Sequence, residues 1–284
     1  MRTAGRAVST DPYAPTAGGP RHRRWPWFLV TIVLLAGAAA GIVWLTSSRA
    51  RPVTLGQAES RLGKIGSAVP GAGRPSPGVY EYTGSGSEQL SLPPLSQAEG
   101  RSMPGTVSLL GSNCWVFRID YSTHHWQTWK YCPHDSGLWE AGGQSWQLWS
   151  VGPLQFTNLS SFSCAPASMA LPADVSPGER WESRCTGVNT SVKGRTVSAG
   201  PYRFVGLVTM SIGGTRVEAA HFSRFRVDSG AQRGTERSAE WFDAENGLPL
   251  RLDQDIKVTT STPFGTSTYT QSGTLVLVSL TPHH

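Results

Sequence analysis

The chain has 284 residues and a formal net charge of +6. Residues 1–24 contain five arginines and one aspartate, a net charge of +4, so the remainder carries only +2. Beyond residue 24 there is no run of lysine and arginine with interleaved aromatic residues, the usual mark of a nucleic-acid surface. We therefore expect no nucleic-acid partner, and we interpret the basic charge as a signal for membrane topology.

A single long apolar segment, WPWFLVTIVLLAGAAAGIVWL, occupies residues 25–45. At about 1.5 Å per helical residue it reaches roughly 30 Å, the thickness of one bilayer core. Three arginines lie just before it, and Trp25, Trp27 and Trp44 mark its ends, as aromatic residues do at membrane interfaces. The pattern predicts a single-pass cell-membrane protein with a cytoplasmic N-terminus and an extracytoplasmic bulk, in contact with membrane lipids.

Two other interpretations of this segment are open. The small residues 36–38 and 38–40 resemble signal-peptidase sites, but the apolar run continues to Leu45, which favours a retained anchor. A lipoprotein signal would need cysteine where Ala38 stands. Gly37 and Gly41 form a GxxxG step that would permit a helix-mediated homodimer, although an alanine- and glycine-rich helix needs no partner.

The predicted organisation has four parts. Residues 1–24 form a disordered basic cytoplasmic tail, 25–45 the transmembrane helix, 46–78 a stalk rich in proline, glycine and serine, and 79–284 an extracytoplasmic β domain. Within the stalk, residues 55–65 would make a helical turn or two.

From residue 79 the apolar residues alternate with a period of two. Residues 79–82 and 88–92 are predicted strands joined by a turn at 84–86, and Trp115, Phe117, Ile119 and Tyr121 share one face of another strand. Gly213-Gly214 and Asn246-Gly247 predict hairpin turns, and residues 166–177 a proline-rich loop. The sequence predicts an all-β ectodomain, a curved antiparallel sheet or half-barrel preceded by one transmembrane helix.

Four cysteines follow the anchor, and an even number in an exported domain predicts two disulfides. If Tyr121 pairs with His125 across a short turn, Cys114 lies opposite Cys132, which leaves Cys164 for Cys185. The competing interpretation, a zinc site with His124, His125 or His134, lacks any CxxC or HxxxH spacing.

No motif of a known catalytic class is present: the chain has no GxSxG, HExxH, P-loop or dinucleotide fingerprint. Glu179, Glu182 and Glu240 lie near tryptophans, as in a glycosidase cleft, but carboxylates on the solvent-facing side of strands are the better explanation, because no paired spacing singles them out. We expect no catalytic residue, no metal and no cofactor. Most of the eight tryptophans of the β domain suit a core, and the candidates for ligand contact are Trp115, Phe117, Trp139, Trp146, Trp149, Trp241 and Leu250.

Residues 240–251, EWFDAENGLPLR, resemble the LolA/LppX/LprG class of exported lipid carriers. That resemblance implies a curved antiparallel sheet around a hydrophobic cavity that holds acyl chains. The arginine-flanked anchor, residues 78–82 (GVYEY), the hairpin 114–132 and residues 180–185 (RWESRC) also resemble a group of actinobacterial single-pass membrane proteins. This second resemblance implies the topology and no activity.

The functional expectation is a non-enzymatic, membrane-anchored domain that binds an apolar or lipid-like ligand or a cell-envelope partner. The alternative is an envelope glycan-binding or hydrolytic domain that uses surface tryptophans. A hydrophobic cavity favours the first, and an open groove floored by tryptophans with two carboxylates favours the second.

Overall fold

The computed structural model describes residues 50–62, 73–111, 113–263 and 265–284, with the backbone alone at 165–167. The predicted tail, the predicted anchor at 25–45 and the Gly37–Gly41 step lie outside these residues. Across the described ranges, no helix has the length and apolar character that a bilayer span requires.

One short helix precedes the strands. Helix α1 spans Leu55–Leu62 within the predicted stalk. Its first turn has a reciprocal capping box, in which the backbone N–H of Gln57 donates to the Thr54 hydroxyl (3.2 Å) and that of Thr54 to the Gln57 side chain (3.0 Å). Val53 and Ala58 are buried, and Arg61 pairs with the buried Asp120 at 2.9 Å. This segment therefore packs against the β domain.

Thirteen strands follow within the described residues. They are β1 (Gly78–Ser91), β2 (Pro94–Ala98), β3 (Ser102–Leu110), β4 (Cys114–Ser122), β5 (His125–His134), β6 (Gly137–Val151), β7 (Leu154–Pro172), β8 (Arg180–Asn189), β9 (Val192–Ile212), β10 (Thr215–Gly230), β11 (Gln232–Asp243), β12 (Pro249–Thr262) and β13 (Gly265–Leu277).

The sheet closes on itself. From β3 to β13 each strand pairs antiparallel with the next, and β1 pairs with β3 on one edge and with β13 on the other, from Tyr82↔Leu277 to Leu90↔Tyr269. The described strands thus form a closed barrel of twelve strands, with β2 folded back along β1. The all-β antiparallel prediction is confirmed, but the half-barrel is wrong. Closure pairs the backbone groups that two free sheet edges would leave open.

The predicted turn at 84–86 is also wrong, because β1 runs straight through it. A Cβ atom on Gly84 would lie 1.9 Å from the backbone oxygen of Thr274 on β13. Glycine is needed here for close approach of two strands rather than for a turn.

The predicted proline-rich loop is shorter than expected, since β7 continues to Pro172. β7 pairs with β8 only over residues 160–163. Beyond these residues, hydrogen bonds from the Ser168 side chain replace the backbone pairing of β7 with β8. The Ser168 hydroxyl accepts from the Arg184 N–H (3.0 Å) and donates to the Arg184 carbonyl (3.2 Å).

Both predicted disulfides are confirmed, Cys114–Cys132 and Cys164–Cys185. The first joins β4 to β5 in the predicted register, in which Trp115 faces Tyr131, although at the turn His125 pairs with Ser122 and not with Tyr121, because the ladder is irregular between Asp120 and Ser122. The second joins β7 to β8 beyond their paired residues. The hairpin turns at Gly213-Gly214 and Asn246-Gly247 are confirmed as well.

Candidate functional site

The barrel has two ends with different interiors. We call the end formed by the turns β1–β2, β6–β7, β8–β9, β10–β11 and β12–β13 the open end, and the opposite end the closed end. Inward aromatic and aliphatic side chains fill the closed end, among them Tyr80, Trp115, Tyr131, Phe222, Phe242 and Leu250. A gap of only about 20 Å³ remains among them, beside Phe117 and Trp129.

A cavity of about 270 Å³ occupies the open end. Its apolar lining includes Leu90, Trp149, Phe156, Phe162, Ile256 and Val258. Its polar lining includes six side-chain amides, from Gln127, Gln147, Asn158, Asn189, Gln232 and Gln271, together with serine, threonine and tyrosine hydroxyls. These residues come from strands all round the barrel, so the cavity is the barrel interior itself.

A hydrogen-bonded network centred on Glu88 forms the floor of the cavity. Glu88 is buried on β1, and its carboxylate accepts from the Gln147 amide (3.2 Å) and the Tyr269 hydroxyl (3.0 Å). Nδ1 of His125 lies 3.0 Å from the same carboxylate, at an angle unsuited to a hydrogen bond. The network ties β1, β6 and β13 together across the interior.

A second carboxylate, that of Glu99, enters the barrel beside this floor. The residue follows β2, and its Oε1 accepts from the Gln271 amide at 2.8 Å. Burial raises the pKa of Glu99 to about 7, against opposing effects of Gln271 and His125 and with a smaller contribution from Glu88. The floor therefore carries a carboxyl group that titrates near neutral pH.

Inward side chains of β6, β10 and β11 form a buried ionic cluster between the cavity and the packed core. Arg224 pairs with Glu140 (3.2 Å) and Glu240 (2.9 Å), and Arg226 pairs with Glu140 (3.2 Å). The Tyr202 hydroxyl donates to Glu240. Burial lowers the pKa of Arg224, but Glu240 and Glu140 outweigh burial and leave it above the usual value.

Two carboxylates line the cavity above that cluster. Asp228 is 5 % exposed on β10, and Glu236 lies on β11, where it faces Arg226 in the register. Oδ1 of Asp228 has no hydrogen-bond partner among the described residues. Burial, and after it Glu236, raises the pKa of Asp228 to about 6, while the Ser198 hydroxyl and, after it, Arg226 oppose the rise.

Trp149 is the one predicted ligand-contact residue that lines the cavity, among the described residues. It is 3 % exposed, and its ring meets that of Tyr269 edge-on at 6.5 Å. The structure places Trp115, Phe117 and Leu250 in the packed core of the closed end.

The other three candidates lie on the outer face of the barrel, where protein groups stack on two of them. Trp146 stacks on Trp126 at 6.3 Å. Trp241 has His221 stacked on it at 4.2 Å and Arg251 at 4.7 Å. Trp139 donates to the hydroxyl of Ser136 at 3.0 Å.

The carboxylates that suggested a glycosidase cleft do not form one pair. Glu240 belongs to the buried ionic cluster, Glu182 is exposed on β8, and Glu179 accepts from the backbone N–H of Ser176 in the turn before it.

One group of potential metal ligands occurs in the described part of the chain, formed by Glu140, Cys164 and Cys185. Both cysteines are joined in a disulfide, so they offer no thiolate to a metal ion.

Sequence reasoning missed Asp228, Glu236 and the amide lining. A usable signal was present: RFRVD at 224–228 and ERSAE at 236–240 place opposite charges at period two on neighbouring strands. Such a pattern on paired strands indicates a polar face that is internally compensated.

Comparison with known proteins gives only distant structural likeness. No protein-family model matches the chain, and no curated protein matches it. Among solved structures, the hypothetical lipoprotein YmcC from Escherichia coli is similar over 78 % of this chain and 96 % of that chain, with 10 % sequence identity and a TM-score of 0.32. A likeness of this degree carries no functional argument, so function must be argued from the cavity.

Proposed function

We propose that this protein binds a small amphipathic molecule inside the open end of its barrel. The observation that supports the proposal is the contrast between the two ends: about 20 Å³ of space in the packed core against about 270 Å³ in the open-end cavity. Protein interiors are close-packed, and large voids in them are few. A cavity with an apolar wall and several convergent polar groups is the usual form of a small-molecule site.

The cavity volume limits the size of the ligand. A cavity of about 270 Å³ lies just below the usual range for small-molecule sites, about 300 to 1,000 Å³. That corresponds to one short alkyl chain with a polar group, or to the end of a longer chain whose remainder lies outside. The lipid-like ligand that the sequence suggests is thus narrowed to one slender chain, and a lipid with several acyl chains enclosed together does not fit.

The entrance supports an amphipathic ligand. Leu92, Leu154 and Phe156 carry their side chains at the open end with exposed fractions of 39 %, 70 % and 37 %. Leu92 and Phe156 also line the cavity, so an apolar path leads from solvent to the interior. The predicted anchor at 25–45 would keep the protein at a membrane, which is a source of such molecules.

The test is calorimetric titration of the full-length chain, in nanodiscs of neutral phosphatidylcholine, with 1-octanol. We expect one equivalent to bind with a negative heat-capacity change, the signature of apolar burial. Ile256→Trp places a large ring in the cavity and should abolish binding. Lys257→Trp, the matched control one residue along β12, is exposed and should leave binding unchanged.

Empty nanodiscs give the background for partitioning of octanol into lipid. If the wild-type chain binds no octanol above that background, or if Ile256→Trp binds it as the wild type does, the cavity is not the site and the proposal is wrong.

A further inference from the structure

The charge inside the barrel is opposite to the charge of the whole protein. The chain has a net charge of +6, yet the described side chains that point into the barrel include six carboxylates against two arginines and one histidine. The carboxylates are those of Glu88, Glu99, Glu140, Asp228, Glu236 and Glu240. No lysine, arginine or histidine is among the residues that line the cavity, so its charged lining is acidic.

Most of these carboxylates have partners within the protein, but Asp228 is left short. Its Oδ1 atom has no regular hydrogen-bond partner in the described part of the chain, although the residue is 95 % buried and lines the cavity. The neighbouring Ser198, opposite it on β9, is also buried, and its hydroxyl lies close enough to Asp228 to lower the pKa of that carboxyl, at a geometry short of a regular hydrogen bond. An unsatisfied buried polar group is costly, and a charged one more so. With only this one weakly placed donor beside it, the Asp228 carboxylate has room for a donor group from a ligand.

The neighbouring strand leaves room for that donor. Gly234 stands opposite Asp228 on β11, so no side chain approaches the carboxylate from this side. A Cβ atom there would lie 2.2 Å from the backbone oxygen of Lys257, so the position is kept free of any side chain. Arg226 is the nearest cation on β10. Its Nη2 is held by Glu140 at 3.2 Å and by Ser183 at 2.8 Å, and its Nε has no hydrogen-bond partner among the described residues, so it acts on Asp228 through its charge and not through a hydrogen bond.

We propose, on the basis of the function proposed above, that the ligand carries a positively charged amine, and that Asp228 and Glu236 accept its hydrogen bonds. An ammonium group is a compact donor of three hydrogen bonds, which suits two carboxylates and a neighbouring hydroxyl. Its charge lowers the cost of burying both acids, and charge-assisted hydrogen bonds are the stronger kind. An anionic ligand such as a fatty acid would instead meet two like charges without any cation in the lining.

The test compares three probes with the same eight-carbon chain on the full-length protein in neutral nanodiscs: octylamine, 1-octanol and octanoate. At pH 7.5 octylamine is cationic, octanol neutral and octanoate anionic. We expect octylamine to bind about tenfold or more tightly than octanol, and octanoate to bind least tightly.

Three variants assign the preference to the carboxylates. Asp228→Asn should weaken octylamine binding about tenfold and change octanol binding by less than about twofold. Glu236→Gln should act in the same direction. Asp255→Asn, an exposed acid on the outer face of β12, is the matched control and should leave all three probes unchanged.

The outcomes separate the two proposals. If octanol binds but octylamine binds no more tightly, or if neither Asp228→Asn nor Glu236→Gln weakens octylamine, the amine proposal is overturned while the cavity remains a binding site. If none of the three probes binds, the proposed function itself fails. The comparison of the three probes on the wild-type protein needs no variant, so it tests the amine preference even if a variant folds poorly.

Discussion

Loss of Arg224 offers the sharpest test of the barrel interior. This guanidinium is 11 % exposed and lies between two carboxylates that are each 9 % exposed, those of Glu140 and Glu240. Replacing arginine by methionine retains much of the apolar volume and removes the charge. Both carboxylates then stay buried with less compensation, because Arg226 reaches only Glu140.

The expected loss follows from the geometry. Removing one partner of a buried ion pair typically costs about 3 to 5 kcal/mol. Because Arg226 keeps its 3.2 Å contact with Glu140, we expect Arg224→Met to lower the free energy of unfolding by about 3 kcal/mol, the lower end of that range. The double variant Arg224→Met/Glu240→Gln removes the orphaned charge and should recover about half of the loss.

Urea unfolding followed by tryptophan emission measures these differences. Arg251→Met is the control: it removes the pair with Asp253, exposed at 41 % and 34 %, and the stacking on Trp241 at the outer face, which together should cost at most about 2 kcal/mol. If Arg224→Met costs no more than Arg251→Met, or if the double variant is less stable than the single one, the cluster does not stabilise the barrel through buried charge.

Two further predictions concern the floor of the cavity and the disulfides. Because the pKa of Glu99 rises from 4.5 to about 7 on folding, its contribution to stability is fully present below about pH 4.5 and is lost as pH rises through 7. Urea unfolding compares the wild type with Glu99→Gln, whose side chain can still accept from Gln271. The difference in their free energies of unfolding should change by up to about 3 kcal/mol between pH 4 and pH 8. A difference that stays constant with pH would refute the raised pKa of Glu99. Replacing Cys114 and Cys132 together by serine should lower the free energy of unfolding by about 2 to 5 kcal/mol, and an unchanged urea midpoint would show that the bridge is dispensable.

Local patterns in the sequence predicted the local parts of this fold well. The inward face of β4 was readable because aromatic and aliphatic residues alternate there with Arg118 and Asp120. The disulfide Cys114–Cys132 followed from the hairpin register, since pairing at one turn fixes all later pairs of a regular ladder. The closure of the barrel could not be predicted from the sequence. It depends on the pairing of β1 with β13, in which Tyr82 meets Leu277 across almost the whole described chain, and no local pattern encodes such a pairing.

The cavity was hidden by an assumption about which face of a strand is wet. In a sheet with one packed face, polar residues point to solvent, and this rule places Asp228 outside and Val227 inside. The structure has the reverse: Val227 is 47 % exposed and Asp228 is 5 % exposed. In this barrel the inward face of a strand is apolar near the closed end and polar near the open end. The pairing of the strands, which the sequence does not show, determines where along each strand this change occurs.

The register also orients the proposed ligand. Glu236 pairs with Ile256, which pairs with Gln271, which pairs with Glu88, so one row of paired residues joins Glu236 to the polar floor. Asp228 lies one level nearer the open end, opposite Gly234. The exposed apolar residues of the entrance lie farther out still. A ligand therefore gains most with its amine toward the floor and its apolar chain toward the entrance, since the opposite orientation would bury the chain against carboxylates and amides. This orientation also lets a longer chain extend out of the barrel without loss of the ionic contact, so lengthening the alkyl chain of an amine probe should not abolish binding.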